Sequence, residues 1–357
     1  CCIGDYDIAG PTSVAIEALG GIVKEDPFAY KAQTNFDSAD EIDEWGTSLE
    51  VEWHIDNDLR FTYQGGYRDT DAYVNVDPDT SNVDLTQGVD WDQNSEFSSH
   101  ELRLNGIAGR WDWLMGLYYY DESIGVDWSV TYGAQFGDYF NLLTDGLVPA
   151  SLFPEGAGDT SRLFSQDATG WALFTHNIIE LVDDWDLVLG LRWSKDDKDA
   201  TSQITNNASH CALVPFIPYC PTPGYDESRS EEEPTGTIKL VRNLENGNLY
   251  ASYARGYKAG GFNLDRDAVT SDTTQFDPET VNTFELGAKW TSSHQPLQLS
   301  SAIFYSDFLD FQLVEFDGVT FSVTNAGEVS SAGAEIDLTW LPAAGLPLTL
   351  GVTYAQT

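Results

Sequence analysis

The chain has 357 residues, with 17 Lys plus Arg against 58 Asp plus Glu, a formal charge of −41. That balance repels phosphate backbones and excludes nucleic-acid binding, while 41% apolar and 13% aromatic residues exclude a disordered chain. No run approaches the ~18 apolar residues of a membrane helix, and the opening CCIGDYDIAGP lacks a signal peptide's basic start, apolar core and initiator Met, so a mature or truncated product is expected.

Segments with period-2 alternation follow one another along the chain, and helical periodicity is nearly absent. In SLEVEW (48–53), Leu49, Val51 and Trp53 share one face and Glu50 and Glu52 the other. LRFTYQ (59–64) sets Leu59, Phe61 and Tyr63 against Arg60, Thr62 and Gln64. HELRLN (100–105) sets Leu102 and Leu104 against Glu101 and Arg103, and WDWLMGLYYY (111–120) aligns Trp111, Trp113, Met115, Leu117 and Tyr119. WDLVLGLRW (185–193) is the clearest case. Trp185, Leu187, Leu189, Leu191 and Trp193 form an apolar stripe with an indole at each end, opposite Asp186, Val188, Gly190 and Arg192. TIKL (237–240) alternates likewise. FELGAKW (284–290) sets Glu285 and Lys289, and AEIDLTW (334–340) sets Glu335 and Asp337, against apolar stripes ending in Trp290 and Trp340. LTLGVTY (348–354) ends the series, so an all-β chain of about a dozen strands is expected.

The connections alternate in length. Short turns are expected at 55–58, 106–109, 180–184, 243–247, 292–296 and 341–345, and long segments at 70–96, 124–168, 199–230, 259–278 and 308–331. Every second connection therefore lies at one end of the sheet, as in outer-membrane barrels with short periplasmic turns and long extracellular loops. A Greek-key sandwich gives no such regularity.

The faces fit an antiparallel transmembrane β-barrel. Stripes ending in Trp or Tyr place amphipathic rings at the two membrane boundaries with lipid-facing aliphatics between them. Eight residues at ~3.3 Å rise, tilted about 40°, cover roughly 20 Å of membrane normal. Glu50, Glu52, Glu101, Arg103, Glu285, Lys289, Glu335 and Asp337 would then face a wet lumen or a polar plug. The competing fold is a large soluble β-sandwich whose strand ends happen to be aromatic.

Cys211 and Cys220 flank ALVPFIPY, and a disulfide closing that loop is expected in an oxidising compartment, ahead of free thiols and of zinc. The pairing of Cys1 and Cys2 is left open. No metal site and no resident cofactor is expected. DPDTSNVD (77–84) and DRDAVTSD (265–272) carry oxygen ligands for Ca2+ but lack the EF-hand Gly and Glu, so solvated acidic loops are the simpler reading. The five histidines are scattered without a nucleophile partner, and no enzyme activity is expected. The excess acid raises solubility in high salt and suits divalent ions near lipopolysaccharide.

NLYASYARGYKAGGFN (248–263) followed by FDPETVNTFELGAKW (276–290) resembles the barrel of TonB-dependent outer-membrane receptors, as does NAGEVSSAGAEIDLTW (325–340). The earlier strands around 48–70 and 99–122 are similar as well, so the resemblance covers about residues 45–357. It implies a Gram-negative outer-membrane location, a 22-stranded barrel filled by an N-terminal plug, and coupling of that plug to TonB. No plug or TonB box is recognisable here, and about a dozen strands make an internal piece of such a barrel. Residues 1–44 are then an extracellular loop or incoming segment, and 45–357 a partial barrel.

The function this implies is energised uptake of a scarce nutrient, a ferric siderophore first, cobalamin or an oligosaccharide next. A passive porin or adhesion barrel is the alternative, and a secreted β-rich hydrolase a distant third. Candidate cargo-binding residues are Trp128, Tyr132, Phe136 and Tyr139, whose rings grip a flat ligand or else pack the loop onto itself, together with Arg255, Lys258, Phe262 and Asn263. Arg255 and Lys258 either meet an anionic ligand or balance neighbouring acids. Expected partners are the TonB complex, outer-membrane lipid and lipopolysaccharide, and a small-molecule cargo.

Overall fold

β-Branched and aromatic residues at every second position hold the backbone extended, and short turns reverse it, so consecutive strands pair with their neighbours. The computed structural model describes residues 10–23, 33–77, 81–153, 158–206, 224–263, 274–316 and 321–357. Its strands are β1 (Ala39–His54), β2 (Leu59–Val76), β3 (Thr86–Ala108), β4 (Trp111–Tyr132), β5 (Asp159–Val182), β6 (Trp185–Asn206), β7 (Tyr225–Leu244) and β8 (Gly247–Lys258). A two-stranded ribbon follows, β9 (Gly261–Phe262) with β10 (Gln275–Phe276). β11 (Glu279–Thr291), β12 (Leu297–Phe316), β13 (Phe321–Ala343) and β14 (Leu346–Gln356) complete the chain. Twelve of these form one antiparallel sheet in the order β1 to β8 and then β11 to β14, an up-and-down meander. The all-β, outer-membrane barrel class read from the sequence holds.

All six short turns fall where they were expected and share one end of the sheet. Three are two-residue reversals carrying a left-handed residue, Gly109 (φ 62°) before Arg110, Asp184 (φ 66°) after Asp183 and Gly345 (φ 80°) after Ala344, as tight hairpins require.

The opposite end departs from expectation. Pairing continues out to Val76 with Val89, Thr131 with Asp159 and Thr160 with Asn206, so much of what the alternation assigned to long loops is strand. β5 alone has 24 residues, roughly 80 Å at ~3.3 Å rise, far more than a ~25 Å apolar band needs even when tilted. In the first half of β4 the odd positions are apolar, from Trp111 to Tyr119. Above it the phase inverts. Val126, Trp128, Val130 and Tyr132 are now the buried set, and Asp127, Ser129 and Thr131 lie between them. The apolar set there turns inward, against the chain packed on that face. A search for one continuous stripe stops at that change of phase.

Between the aromatic ends the stripe faces outward with nothing upon it. Leu191 is 65% exposed, Ile303 56% and Leu286 55%. A soluble sandwich would cover such residues with a second sheet, and among the described residues the only other sheet is the ribbon β9–β10. On the opposite, polar face Arg103 pairs with Glu101 at 3.0 Å, and Arg60 with Glu52 at 3.5 Å. Tyr250 donates its hydroxyl to Glu285 at 2.6 Å while the Lys239 ammonium lies 3.8 Å over its ring. Lys289 sits opposite Ser300, which sits opposite Asp337 across β13, and Glu335 is paired with Ala302. Aromatic rings crowd glycines on this face, Phe174 at Gly116 and Tyr120 at Gly170, close approaches that a Cβ would block.

The first barrel strand begins at Ala39 rather than near residue 45. Helix α1 (Pro11–Ala18) lies ahead of it at the long-connection end, where Gln135 donates to the Leu19 carbonyl at 3.2 Å and Ile22 donates its N–H to Asn82 at 3.0 Å.

Candidate functional site

At the long-connection end the polar face is covered by two layers of packed chain. The first is a cap made by the β4–β5 connection, which contains helix α2 (Phe136–Leu143) and a single 3-10 turn (Ala150–Leu152). It folds onto the inner face of β3, β4 and β5. Phe136 and Phe153 meet edge-on at 5.5 Å, Tyr132 packs on Phe136 at 4.7 Å, and Val89, Val126, Trp128, Val130 and Phe164 close the cluster. Of the residues singled out from the sequence, Trp128, Tyr132 and Phe136 lie inside this small core, and Tyr139 is half-buried at its rim against Phe140.

The second layer is a strap. Arg255 is the last β8 residue paired with β7, opposite Gly236. The chain beyond it is bound by side chains of its neighbours. Arg229 of β7 donates to the carbonyls of Phe276 (2.6 Å) and Gly261 (3.2 Å), and through Nε to Glu231 at 2.6 Å. Glu231 accepts the Gly260 N–H at 2.9 Å, and Lys198 Nζ donates to the Gly260 carbonyl at 2.7 Å. Gln312 donates to the carbonyls of Ala259 (2.9 Å) and Asp277 (3.1 Å). Asn263 imitates a strand partner, donating to the Val323 carbonyl at 3.0 Å and accepting the Val323 N–H at 2.8 Å. Tyr225 stacks on Phe262 at 6.4 Å and donates to the Asn263 carbonyl at 3.1 Å.

Burial around the strap moves two pKa values. It lowers that of Lys198, against the pull of Glu231 and Asp196 toward the charged form. It pushes the Tyr225 hydroxyl up to about 12. The glycine pair is explained by closeness of approach. A Cβ on Gly260 would meet the Arg229 guanidinium and lie 2.5 Å from the Phe276 carbonyl oxygen, and one on Gly261 would lie 2.7 Å from the Phe276 ring. Phe262 and Asn263 are therefore buried parts of the strap's anchorage.

Beneath the strap, on the polar face of β4 to β8, lies a hollow of about 430 Å3 whose lining includes Ala259 of the strap itself. Asp196 stands in its wall and accepts two phenolic hydroxyls, from Tyr120 at 2.7 Å and from Tyr257 by a shorter bond. Arg255 also borders it and pairs with Glu233 at 3.2 Å, whereas Lys258 is exposed at the strand end opposite Glu279. Arg192 enters the same space with its guanidinium 5.5 Å from the Tyr118 ring and 5.7 Å from the Phe174 ring. Its Nε donates to Ser194 at 2.9 Å.

Tyr120, Asp196, Tyr257 and Arg229 were not singled out from the sequence. The available signal was parity: Ser194, Asp196 and Lys198 continue the polar face of WDLVLGLRW beyond its last tryptophan. Cys1, Cys2, Cys211 and Cys220 lie outside the described residues, as does residues 265–272 of the second acidic loop. In the first acidic loop, Asp84 accepts the Ala134 N–H at 2.9 Å and Asp77 that of Asn35 at 3.3 Å.

The family model for TonB dependent receptor-like β-barrels matches residues 5–357. The chain belongs to that family. Among curated proteins it is 24% identical over 341 residues to the probable TonB-dependent siderophore receptor PiuA of Acinetobacter baumannii, covering 87% of this chain and 43% of that one. Among solved structures, the ferric yersiniabactin uptake receptor FyuA of Yersinia pestis superposes with a TM-score of 0.67 at 18% identity, over 87% of this chain and 42% of FyuA. The structure of PiuA from Acinetobacter baumannii gives 0.64 at 19% identity, over 89% of this chain and 47% of that one. The chain thus spans less than half the length of these relatives, and at such identities the superpositions speak for the fold.

Proposed function

We propose that this chain forms part of the wall of an outer-membrane receptor that takes up a ferric siderophore, with energy delivered through TonB. Membership of the TonB-dependent receptor-like family supports a receptor role, since that family is one of receptors and transporters. The observation that carries the uptake reading is the layering at the long-connection end. A passive porin leaves its lumen open to diffusion, whereas here the inner face is covered by an apolar cap and a multiply bonded strap. Cargo arriving from outside meets built surfaces, and passage needs those surfaces or a plug beside them to move. That is work for an external energy source. The siderophore class is supported by the names of two relatives, the probable siderophore receptor PiuA and the ferric yersiniabactin uptake receptor FyuA.

The lipid-facing stripe supports the outer membrane as location, with the short turns toward the periplasm and the cap toward the exterior. Coupling would run through a plug domain of the kind the family carries. The test is uptake of 55Fe from a panel of ferric siderophores by iron-starved cells with and without the gene, repeated in a strain lacking TonB. Uptake that needs both genes is expected. Uptake that persists without TonB, together with steady ion conductance of the purified protein in planar bilayers, points instead to a passive channel.

A further inference from the structure

The outward face carries a shaped depression as well as a stripe. Register sets Leu187, Leu240, Ala251, Leu286 and Ile303 side by side on five neighbouring strands. All but Ala251 are large and branched, and over its methyl group opens an apolar furrow of about 700 Å3. The rings of Tyr253 and Phe284, 4.9 Å apart, wall its end toward the strap, and the Tyr253 hydroxyl donates to Asn282 at 2.7 Å. The other end is charged. Arg242 follows Leu240 by two residues, so it stands on the same outward face of β7, opposite Leu249. Its guanidinium lies 5.3 Å from the Trp185 ring and 3.5 Å from the carboxylate of Asp184 in the adjoining short turn. The two side chains are 36% and 62% exposed, so both charges are open to a visitor. From Leu249 beside Arg242 to Tyr253 at the far wall, β8 runs roughly 13 Å at ~3.3 Å per residue.

We propose that the furrow and the Arg242–Asp184 pair seat one aminophospholipid of the periplasmic leaflet, a phosphatidylethanolamine. One acyl chain lies over Ala251, the phosphate meets Arg242 and the ammonium meets Asp184. A methyl floor between branched neighbours admits a methylene chain and gains its close contacts along the whole length. The headgroup decides which lipid is held. A phosphate joined to an ammonium complements a guanidinium beside a carboxylate, so both charges are matched by charge-assisted hydrogen bonds at once. A phospholipid of net negative charge satisfies Arg242 but is repelled by Asp184, and by a chain whose formal charge is −41. Lipopolysaccharide occupies the other leaflet, whereas Arg242 stands beside the turn between Val182 and Trp185, at the end remote from the cap. This site is separate from cargo uptake and rests on the proposed function only for the outer-membrane location and for the short turns facing the periplasm.

The natural full-length protein is extracted from its outer membrane, stripped of lipid in detergent and titrated with phosphatidylethanolamine, phosphatidylglycerol of the same acyl chains, or lipopolysaccharide. Bound lipid is counted by native mass spectrometry. One phosphatidylethanolamine should be held about tenfold more tightly than phosphatidylglycerol, the difference made by roughly one hydrogen bond to a charged group. Asp184→Asn keeps the turn, because Asn tolerates the left-handed backbone (φ 66°), and should erase that preference. Arg242→Gln should weaken both phospholipids. Ala251→Leu fills the floor and should weaken both while leaving the preference in place. Should Ala251→Leu fail to fold, phosphatidylethanolamine with hexanoyl chains reads the same furrow on the wild type and should bind more weakly than the long-chain lipid. Equal binding of the two phospholipids by the wild type overturns the inference, as does a preference unchanged in Asp184→Asn. Tighter retention of lipopolysaccharide, or a dimer whose formation shuts lipid out, overturns it too. Absence of the protein from the outer-membrane fraction overturns the location on which the site depends, whereas its presence there without a lipid preference overturns the site alone.

Discussion

Glu231 of β7 accepts the backbone N–H of Gly260 at 2.9 Å while pairing with Arg229, so one carboxylate both orients the guanidinium and holds the strap. Residues two apart on a strand point to the same face, which makes the R-x-E spacing a ready-made clamp. The side chains of the pair are only 9% and 10% exposed, so removing one partner leaves a buried charge behind. The strap is consequently an integral part of the wall.

The close approach at Gly260 gives a direct test. Gly260→Ala should force the Arg229–Glu231 clamp apart at a cost of about 1–3 kcal/mol, and limited proteolysis in detergent should then cut the 259–278 connection sooner. Gly327→Ala, where an added Cβ meets nothing within 4 Å, should leave the cleavage pattern unchanged. Equal protease resistance in the two variants contradicts the clamp.

The cap makes a second expectation. Trp128→Ala removes a large ring from the Phe136–Phe153 cluster and should cost about 3–5 kcal/mol locally, seen as accelerated amide exchange through α2. Tyr139→Ala, at the rim, should change exchange little. A Trp128→Ala protein with unaltered exchange in α2 but impaired cargo binding would return Trp128 to a direct role in gripping cargo.

The sequence disclosed some parts of this molecule and not others for one physical reason. Where the outer face is left uncovered, the large apolar groups stand at alternate positions, and WDLVLGLRW shows them plainly. The short turns were equally legible because their chain reversal needs Gly or Asp at set places, as at Gly109 and Asp184. Above the membrane the solvent changes on both faces at once, and the apolar set moves from Tyr119 to Trp128 by an odd number of residues. That shift made strand look like loop, and it left ring packing and ligand grip as two readings of the same rings. The strap and the hollow were harder still. Asp196 with Tyr120 and Tyr257 joins residues 76 and 61 positions apart, contacts that only strand register creates.

Register also predicts which charges the stripe tolerates. Leu286 is 55% exposed on the outward face of β11, and Leu286→Arg near mid-band should destabilise the folded barrel by about 2–4 kcal/mol, measured by urea unfolding from phospholipid vesicles. Ser300→Lys, on the polar face opposite Asp337, should be close to neutral. If the two substitutions cost the same, the outward face is not the one in contact with lipid.

Tyr225 links the cap to the strap and reports on both, because burial holds its hydroxyl un-ionised up to about 12 against an ordinary value of 10.0. The sign follows from proton counts. Between those two values the unfolded segment has released the proton and the folded one retains it, so stability contributed through Tyr225 is intact below pH 10 and falls as pH rises toward 12. The difference in 295 nm absorbance between wild type and Tyr225→Phe isolates this one phenol. Its midpoint should lie near 12, and the loss of the strap's protease resistance should track the same rise. A midpoint near 10 would mean that the ring is solvated, and with it that Phe262 and the strap do not rest on the cap.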